Sequence, residues 1–428
     1  MSYPRSGYKL AKFLFGKYEE IPEDWNISRI DELGKLVTGN TPSTSIDEYY
    51  GDEFLWASPT DIKNQKYIVN TTSKLSKLGF EISRKIPKDS VLVVCIGSTI
   101  GKMAMASKEM STNQQINTIV CKKCNPEFVY YQLLKNNAII KNMSNQVAVP
   151  ILNKKDFGRI KIKIPKKIQE QEKIASIISN IDLLIQQNDQ LMNTTKQLKV
   201  GLIQQLLIKG IGYTEFKKEK LSKLPQSRYY EIPEIWEVKP LKKLVKINPE
   251  NITEEYTYEK ILYVDIGAIE DFRIKQFEEF KIDERPSRAQ RIIKKDDIIV
   301  STVRPYLKAF AKIDSNKENL VCSTGFTVLR PKSNSDIDLI FNYVLSHPFE
   351  TELIRKMEGM AYPAVTGKII GECLVPYSTN EIERKKIGEI LSNIEKRIQG
   401  FQDRIHDLET MKKGLMQKLL TGEIRVKV

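Results

Sequence analysis

Few residues in this chain have the type and spacing to carry chemistry. Gly97-Ser98-Thr99-Ile100-Gly101-Lys102 has the look of a phosphate-binding loop, but it is one residue short of that motif, and Met103 stands where a metal-binding Ser or Thr belongs. Cys121-Lys122-Lys123-Cys124 has zinc-knuckle spacing without the second pair that would complete four ligands, so it reads as two thiols at a strand end. Only two histidines occur, His347 and His406, which argues against a histidine triad or a His-rich metal site. Asn248-Pro249-Glu250 starts like an adenine-methylation motif and does not continue as one. No Gly-rich methyl-donor loop and no nuclease-like cluster of paired carboxylates with a lysine is found. By these residues the chain is catalytically empty, and no metal or catalytic group is expected in it.

What remains are side chains suited to reading nucleic acid. Base edges are read by Arg or Lys at guanine and by Asn or Gln at adenine, while hydroxyls, amides and further basic groups hold phosphates. One set precedes the middle of the chain: Thr38, Asn40 and Thr41 in a Gly/Pro turn, Ser98, Thr99 and Lys102, the pair Gln114 and Gln115, and Asn145 with Gln146. A second set follows it: Arg285, Arg288 and Arg291, then Thr302, Arg304, Tyr306 and Lys308, and Tyr362. Any one of these is more often a turn former or a solvated side chain than a base reader. The loops that carry them are the stronger expectation.

The elements that must position these loops are two long helices. Gln169 to Lys209 returns as Glu381 to Thr421, with Ser179-Asn180-Ile181 recurring as Ser392-Asn393-Ile394 and Gly201 as Gly414, each 213 positions on. In the second copy Ile387, Ile394, Phe401, Leu408 and Leu415 repeat every seven residues, and Leu391, Ile398, Ile405 and Leu419 form a companion row interrupted by Lys412. That is a coiled-coil seam. In the first copy the corresponding rows read Ile174, Ile181, Asn188, Thr195, Leu202 and Ile177, Leu184, Leu191, Leu198, with Asn188 expected to fix register. A helix of roughly 40 residues is about 60 Å long and unstable alone, so each copy is the other's expected partner, in an antiparallel pair.

The repeat extends beyond the helices. Ile21-Pro22-Glu23-Asp24-Trp25 returns as Ile232-Pro233-Glu234-Ile235-Trp236, and the segment 88–102 parallels 295–308. Both modules close on a proline, Pro150 or Pro363, ahead of a long helix, and Ser378 followed by Glu381 has capping-box spacing. Short Val/Ile strands between Gly, Pro and Asp turns, with helical stretches at 128–143 and 338–357, make each module α+β. The frame is repeated closely and the contents are not, as for two readers of different targets.

Composition sets limits. With 428 residues, 41% hydrophobic and 29% charged, the chain is globular with two or more domains. No apolar run reaches a membrane span and the first residues lack a signal-peptide core, which points to the cytoplasm. Five cysteines in strand-like runs suit free thiols there. The net charge of +14 points to an anionic partner, yet residues 26–160 hold 18 Lys/Arg against 12 Asp/Glu, and 237–373 hold 22 of each. Charge alone therefore does not establish DNA binding.

"IPEDW", "TGNTPS", "GSTIGK", a proline-containing closure before "IPKKIQEQEKIASIISNID" and "GLIQQLLIKG", in a module plan that is repeated once in the same order, resemble the specificity subunit of a type I restriction-modification system over essentially the whole chain. The resemblance implies an α+β protein with two pseudo-symmetric, mixed α/β target-recognition domains joined by two long antiparallel coiled-coil helices. Its expected division is 1–165 and 211–376 for the two domains with linker, and 166–210 and 377–428 for the helices with the C-terminal tail. It further implies that each domain reads half of a split double-stranded DNA site and that the helices dock two methyltransferase subunits. Restriction subunits would join through those, with S-adenosylmethionine, ATP and Mg held by the partners, and no membrane is involved. The competing classes are a coiled-coil adaptor and a stand-alone DNA methyltransferase or nuclease. The missing catalytic motifs weigh against the enzyme, and the Asn/Gln/Arg loops against the adaptor.

Overall fold

A computed structural model describes residues 4–13, 18–63, 65–144, 150–224, 227–357 and 363–428. The chain forms two compact units, one of residues 1–189 with 403–428 and one of residues 190–402. Each is α+β.

In the first unit the strand Val91–Val94 is central. All four of its residues are buried, and the two-residue period of a strand divides them between two faces. Leu92 and Val94 join Ala104, Ala106, Met110 and Ile116 in a core between two sheets. Val91 and Val93 join Met103, Met105, Phe128, Tyr131 and the long-helix residues Ile174 and Ile178 in a second core. The first sheet runs Gly34–Thr38, Ile116–Cys121, Val91–Val94, Met103–Ala106, Tyr67–Ile68, and the second runs Tyr50–Gly51, Lys74–Leu75, Phe54–Ala57, Met110–Thr112, Lys85–Ile86.

The second unit repeats this plan. Its sheets run Val245–Ile247, Phe326–Pro331, Ile298–Ser301, Phe310–Lys312, and Glu278–Lys281, Lys260–Val264, Leu320–Ser323, Ala289–Ile292. In each unit one pair in the second sheet is parallel, Phe54–Ala57 with Met110–Thr112 and Lys260–Val264 with Leu320–Ser323. Ile299, Ala311 and Val328 fill one core, Ile298, Val300 and Phe310 the other. The turn before the central strand carries a left-handed Asp in both units, Asp89 at φ 64° and Asp296 at φ 70°, 207 positions apart. The helical stretches break in two: Pro126–Lys135 with Asn137–Met143, and Ile337–Val344 with His347–Arg355.

The long helices are Ile168–Lys209 and Glu381–Leu419. They are antiparallel within each unit. In the first, Arg425 reaches Glu170 while Lys412 reaches Asp182 at 2.6 Å; in the second, Lys199 pairs with Glu395 while Glu383 accepts from the Ile211 N–H. Lys199 and Lys412 are 213 apart, as are Asp182 and Glu395, so one ion pair occurs twice. This corrects the companion row of the first helix. Leu184, Leu191 and Leu198 are 41%, 52% and 55% exposed, and the buried row passes instead through Ile178, Lys199 and Leu206. Asn188 is buried as expected, but its amide donates to the Leu184 carbonyl of its own helix at 2.7 Å. The cap is corrected too: Asn380, not Ser378, accepts from the Ile382 and Glu383 N–H groups, and the Ser378 hydroxyl donates to Glu383.

The Ile-Pro-x-x-Trp motif fastens each module to its helix. Trp25 Nε1 donates to Glu170 at 3.3 Å and Trp236 Nε1 to Glu383 at 3.2 Å, and both indoles are buried. Each also lies against the glycine that ends the other long helix, Gly422 at φ 77° and Gly210 at φ 66°, left-handed positions where a Cβ would also crowd Pro22 or Trp236. Among the described residues no helix is long and apolar enough to cross a membrane.

Candidate nucleic-acid interface

Each module presents one five-residue turn immediately after its central strand. In the first it is Gly97 to Gly101, with positive φ at both ends, 96° and 87°. Gly97 N–H donates to the Pro150 carbonyl at 2.9 Å, and Gly101 N–H to Val94 at 2.9 Å. Glycine suits position 101, where φ is positive and a Cβ would press on the Asn137 side chain, whose Oδ1 would lie 2.2 Å away. The turn joins antiparallel strands and does not precede a helix. Ser98 and Lys102 are exposed and Thr99 is half-buried, and none of the three side chains has a partner among the described residues.

The neighbouring loops close around Gln115. Its carbonyl accepts from Cys95 N–H at 2.8 Å, its N–H donates to Asn113 Oδ1 at 3.1 Å, and its Oε1 accepts from Asn113 Nδ2 at 3.0 Å, which leaves the Gln115 Nε2 end beside Gly97. Exposed Gln114 accepts from Thr41 Oγ1. The turn at 38–41 therefore lies against 112–115, where Asn40 N–H donates to the Thr112 carbonyl at 2.9 Å. Two expected readers are occupied internally: Thr38 Oγ1 donates to Asn117 at 2.6 Å, and Asn40 accepts from Arg84 N–H at 2.7 Å while donating to Ile82. Both side chains thereby brace the turn. Arg84, exposed and donating through Nη1 to the Thr38 carbonyl at 2.9 Å, was not marked by the sequence reading; the basic pair Arg84-Lys85 was the available signal. Asn145 and Gln146 lie outside the described residues, as does Tyr362 in the second module.

The second module has its turn at Arg304 to Lys308, again with positive φ at both ends, 47° and 52°, each 207 positions after the corresponding glycine. Arg304 N–H donates to Pro363 at 2.9 Å, repeating the Gly97 bond to Pro150, and Thr302 N–H donates to Gly325 at 2.8 Å, repeating the Cys95 bond to Gln115. An L-residue in the left-handed region costs roughly 1–2 kcal/mol, so two such residues mark a turn held against local preference. Arg304 is exposed and has no side-chain partner among the described residues. Tyr306 is 42% exposed at the tip, and Lys308 is paired with Glu350 at 2.7 Å. Thr302 Oγ1 is occupied by the Gly325 carbonyl at 2.8 Å.

The arginine cluster lies beside the same connection, since the Arg288 carbonyl accepts from Thr324 N–H at 2.8 Å. Arg288 is exposed. Arg285 donates through Nη1 to Ile282 at 2.6 Å, while its Nε is buried without a partner. Arg291 is on the strand Ala289–Ile292 and not on a loop; its Nη1 is also buried and unpartnered, and burial pulls its pKa below the usual arginine range. Buried N–H groups without acceptors are donors still to be satisfied. Among the described residues no group of three or more His, Cys, Asp or Glu could hold a metal ion.

The sequence matches the family described as type I restriction modification DNA specificity domain twice, over residues 22–197 and 233–410. A specificity subunit of Methanocaldococcus jannaschii, that of type I restriction enzyme MjaVIII, is 24% identical over 423 residues, covering 95% of this chain and 94% of that protein. The HindI specificity subunit of Haemophilus influenzae is 36% identical over 156 residues, 34% of this chain and 33% of that protein. In fold, the chain resembles the crystal structure of a type I restriction-modification S subunit from M. genitalium with a TM-score of 0.62 at 17% identity, over 92% of this chain and 96% of that one.

Proposed function

The chain belongs to the type I restriction-modification DNA-specificity family, and from that premise we propose that its two modules each read one half of a split double-stranded DNA site. It is a specificity subunit, the non-catalytic DNA-recognition component of such a system. The observation that carries the two-reader proposal is the turn built twice on the same backbone hydrogen bonds with different side chains, Gly-Ser-Thr-Ile-Gly in one module and Arg-Pro-Tyr-Leu-Lys in the other. A common frame offering different donors is what reading two different half-sites requires. In the first module Ser98, Thr99, Lys102, Gln114 and Gln115 are the groups to meet DNA, on a surface shaped by Thr38, Asn40 and Thr41. In the second they are Arg285, Arg288, Arg291, Arg304, Tyr306 and Lys308, with Thr302 holding the turn.

Two methyltransferase subunits would dock on the long helices, and restriction subunits would join through them. S-adenosylmethionine, ATP and Mg would be bound by those partners. The test is exchange of residues 26–160 for the corresponding segment of another family member, followed by sequencing of methylated adenines in cells carrying the assembled system. One half of the methylated site changes and the other stays. A change in both halves, or in neither, overturns the two-reader assignment.

A further inference from the structure

The two turn tips share a backbone and dispose of their apolar side chain in opposite ways. Ile100 N–H donates to the Gly97 carbonyl at 3.1 Å, and Leu307 N–H, 207 positions on, donates to the Arg304 carbonyl at 2.9 Å. Ile100 is 8% exposed and belongs to the core that holds Val91, Met103 and Phe128. Leu307 is 64% exposed. In the second module Pro305 is the buried residue of the turn, and Tyr306 and Leu307 stand out together where the first module has Thr99 and Ile100.

A single exposed leucine needs no explanation. This one lies beside an exposed tyrosine, on a turn whose two ends are L-residues in the left-handed region, so the chain holds it out at an energetic cost. Its surroundings are cationic. Arg304 is exposed without a side-chain partner among the described residues, and exposed Arg288 joins the same connection through its carbonyl, which accepts from Thr324 N–H at 2.8 Å. The charge of Lys308 is met by Glu350. An apolar tip among unpaired guanidinium groups suits an anionic partner that also offers an apolar group. The major groove of DNA is such a partner: phosphates flank it, and the thymine 5-methyl is the apolar group among the donors and acceptors of its base edges.

We propose that Leu307 is a specificity-determining residue of the second module, packing on the 5-methyl group of one thymine in its half-site. This rests on the assignment of one half-site to each module. The first module makes no such contact from the equivalent position, because Ile100 is committed to the core. The second half-site therefore contains at least one A·T pair, at a position where uracil, which differs from thymine only in lacking that methyl, is the poorer partner.

The split site is first read by sequencing methylated adenines, and the second module's half is the one that exchange of residues 26–160 leaves unchanged. Binding is then measured by fluorescence anisotropy with the specificity chain and its methyltransferase assembled, on duplexes in which each thymine is replaced by uracil in turn. One replacement in the second half-site weakens binding by about fourfold, or about 0.8 kcal/mol, the worth of one buried methyl group. Leu307→Ala binds the thymine and uracil duplexes equally at that position, Leu307→Met keeps the preference, and neither variant alters the response to uracil in the first half-site. The position is exposed, melting curves confirm that both variants fold, and the uracil series on the parent chain needs no variant. A second half-site without an A·T pair, no response to uracil there, or a preference that persists in Leu307→Ala overturns the proposal. A tip that wedges between bases instead raises the fluorescence of 2-aminopurine at the neighbouring step without a response to uracil, and this too overturns it. Loss of thymine preference in both halves alike with Leu307→Ala overturns the assignment of one half-site to each module.

Discussion

Replacing Arg304 by glycine pulls stability and DNA binding in opposite directions. Arg304 has φ 47° and ψ 56°, in the left-handed region. Glycine there removes roughly 1–2 kcal/mol of strain. It also returns about 0.5–1 kcal/mol of backbone freedom to the unfolded chain. The net is a stabilisation of about 0.5–1 kcal/mol, which for a unit of this size raises Tm by about 1–4 °C. No internal contact of the side chain is lost, because the exposed guanidinium has no partner among the described residues. If Arg304 meets DNA as proposed, the variant loses one arginine contact, about 1–3 kcal/mol or roughly 5- to 150-fold in affinity. Arg304→Ala separates the two effects, since it keeps the strain and loses the guanidinium: Tm stays near that of the parent and binding falls equally. The assays are thermal unfolding of the purified chain and fluorescence anisotropy of a site-bearing duplex with the assembled complex across a salt series. If the contact is to phosphate, the salt slope drops by about 1; if to a guanine edge, discrimination at one base pair relaxes. An Arg304→Gly chain that binds DNA like the parent, or that melts lower than Arg304→Ala, refutes the reasoning.

Lys308→Gly at the other end of the turn also relieves strain but gives up the ion pair with Glu350, worth about 0–1 kcal/mol at a partly exposed site, so Tm should move by less than for Arg304→Gly. Lys199→Ala leaves Glu395 without its partner across the seam and should destabilise by about 1–2 kcal/mol; a chemical-denaturation midpoint equal to the parent's would count against a paired seam. Trp236→Phe removes the donor to buried Glu383 and leaves part of the indole's volume unfilled, and should cost about 1 kcal/mol or more in the same measurement. Among the thiols, burial pushes Cys95 up to about 11 and Cys373 up to about 12, whereas a hydrogen bond from Cys121 draws Cys124 below the usual thiol value. Alkylation of the native chain at pH 8 should therefore reach the 121/124 pair before the other three, as read by peptide mass mapping.

The α+β class, the duplication and the two helices were legible because each rests on a long, strongly periodic signal. The companion row of the first helix was not, and the reason is physical. Leu184, Leu191 and Leu198 have the same seven-residue spacing as a buried row, and periodicity counts apolar side chains without registering which face meets the partner. Lys199 is charged and is nevertheless buried in the seam, because Glu395 arrives opposite it. Its counterpart Lys412 could have exposed the error, being the lone charged residue in the second copy's row and standing 213 positions on. The candidate loops were legible as polar turns, but not the division of labour within them. Thr38 and Asn40 have the chemistry of readers and use it on Asn117, Arg84 and Ile82, contacts between residues 42 to 79 positions apart that no local pattern reveals. Arg84 was passed over for the same reason, since only the fold brings it to the Thr38 carbonyl.

The close repetition of the frame and the divergence of the turns follow from how many constraints meet at each position. At the frame, the buried Trp25 indole must at once donate to the first turn of one long helix, pack on Phe128 and lie against the glycine ending the other helix, and Trp236 answers to the same helix and glycine demands. A substitution at any of these positions breaks contacts to several elements, so none can change alone. At the turn tips the constraint is on the backbone: positive φ at both ends and one N–H aimed at a proline carbonyl. Any side chain that tolerates this geometry is admissible, and Arg304 and Lys308 indicate that even two left-handed L-residues can be accommodated where Gly97 and Gly101 stand in the first module. A module built in this way can exchange what it offers to DNA at a cost of about 1–2 kcal/mol per strained position, while the cores and helix junctions that hold it remain as they were.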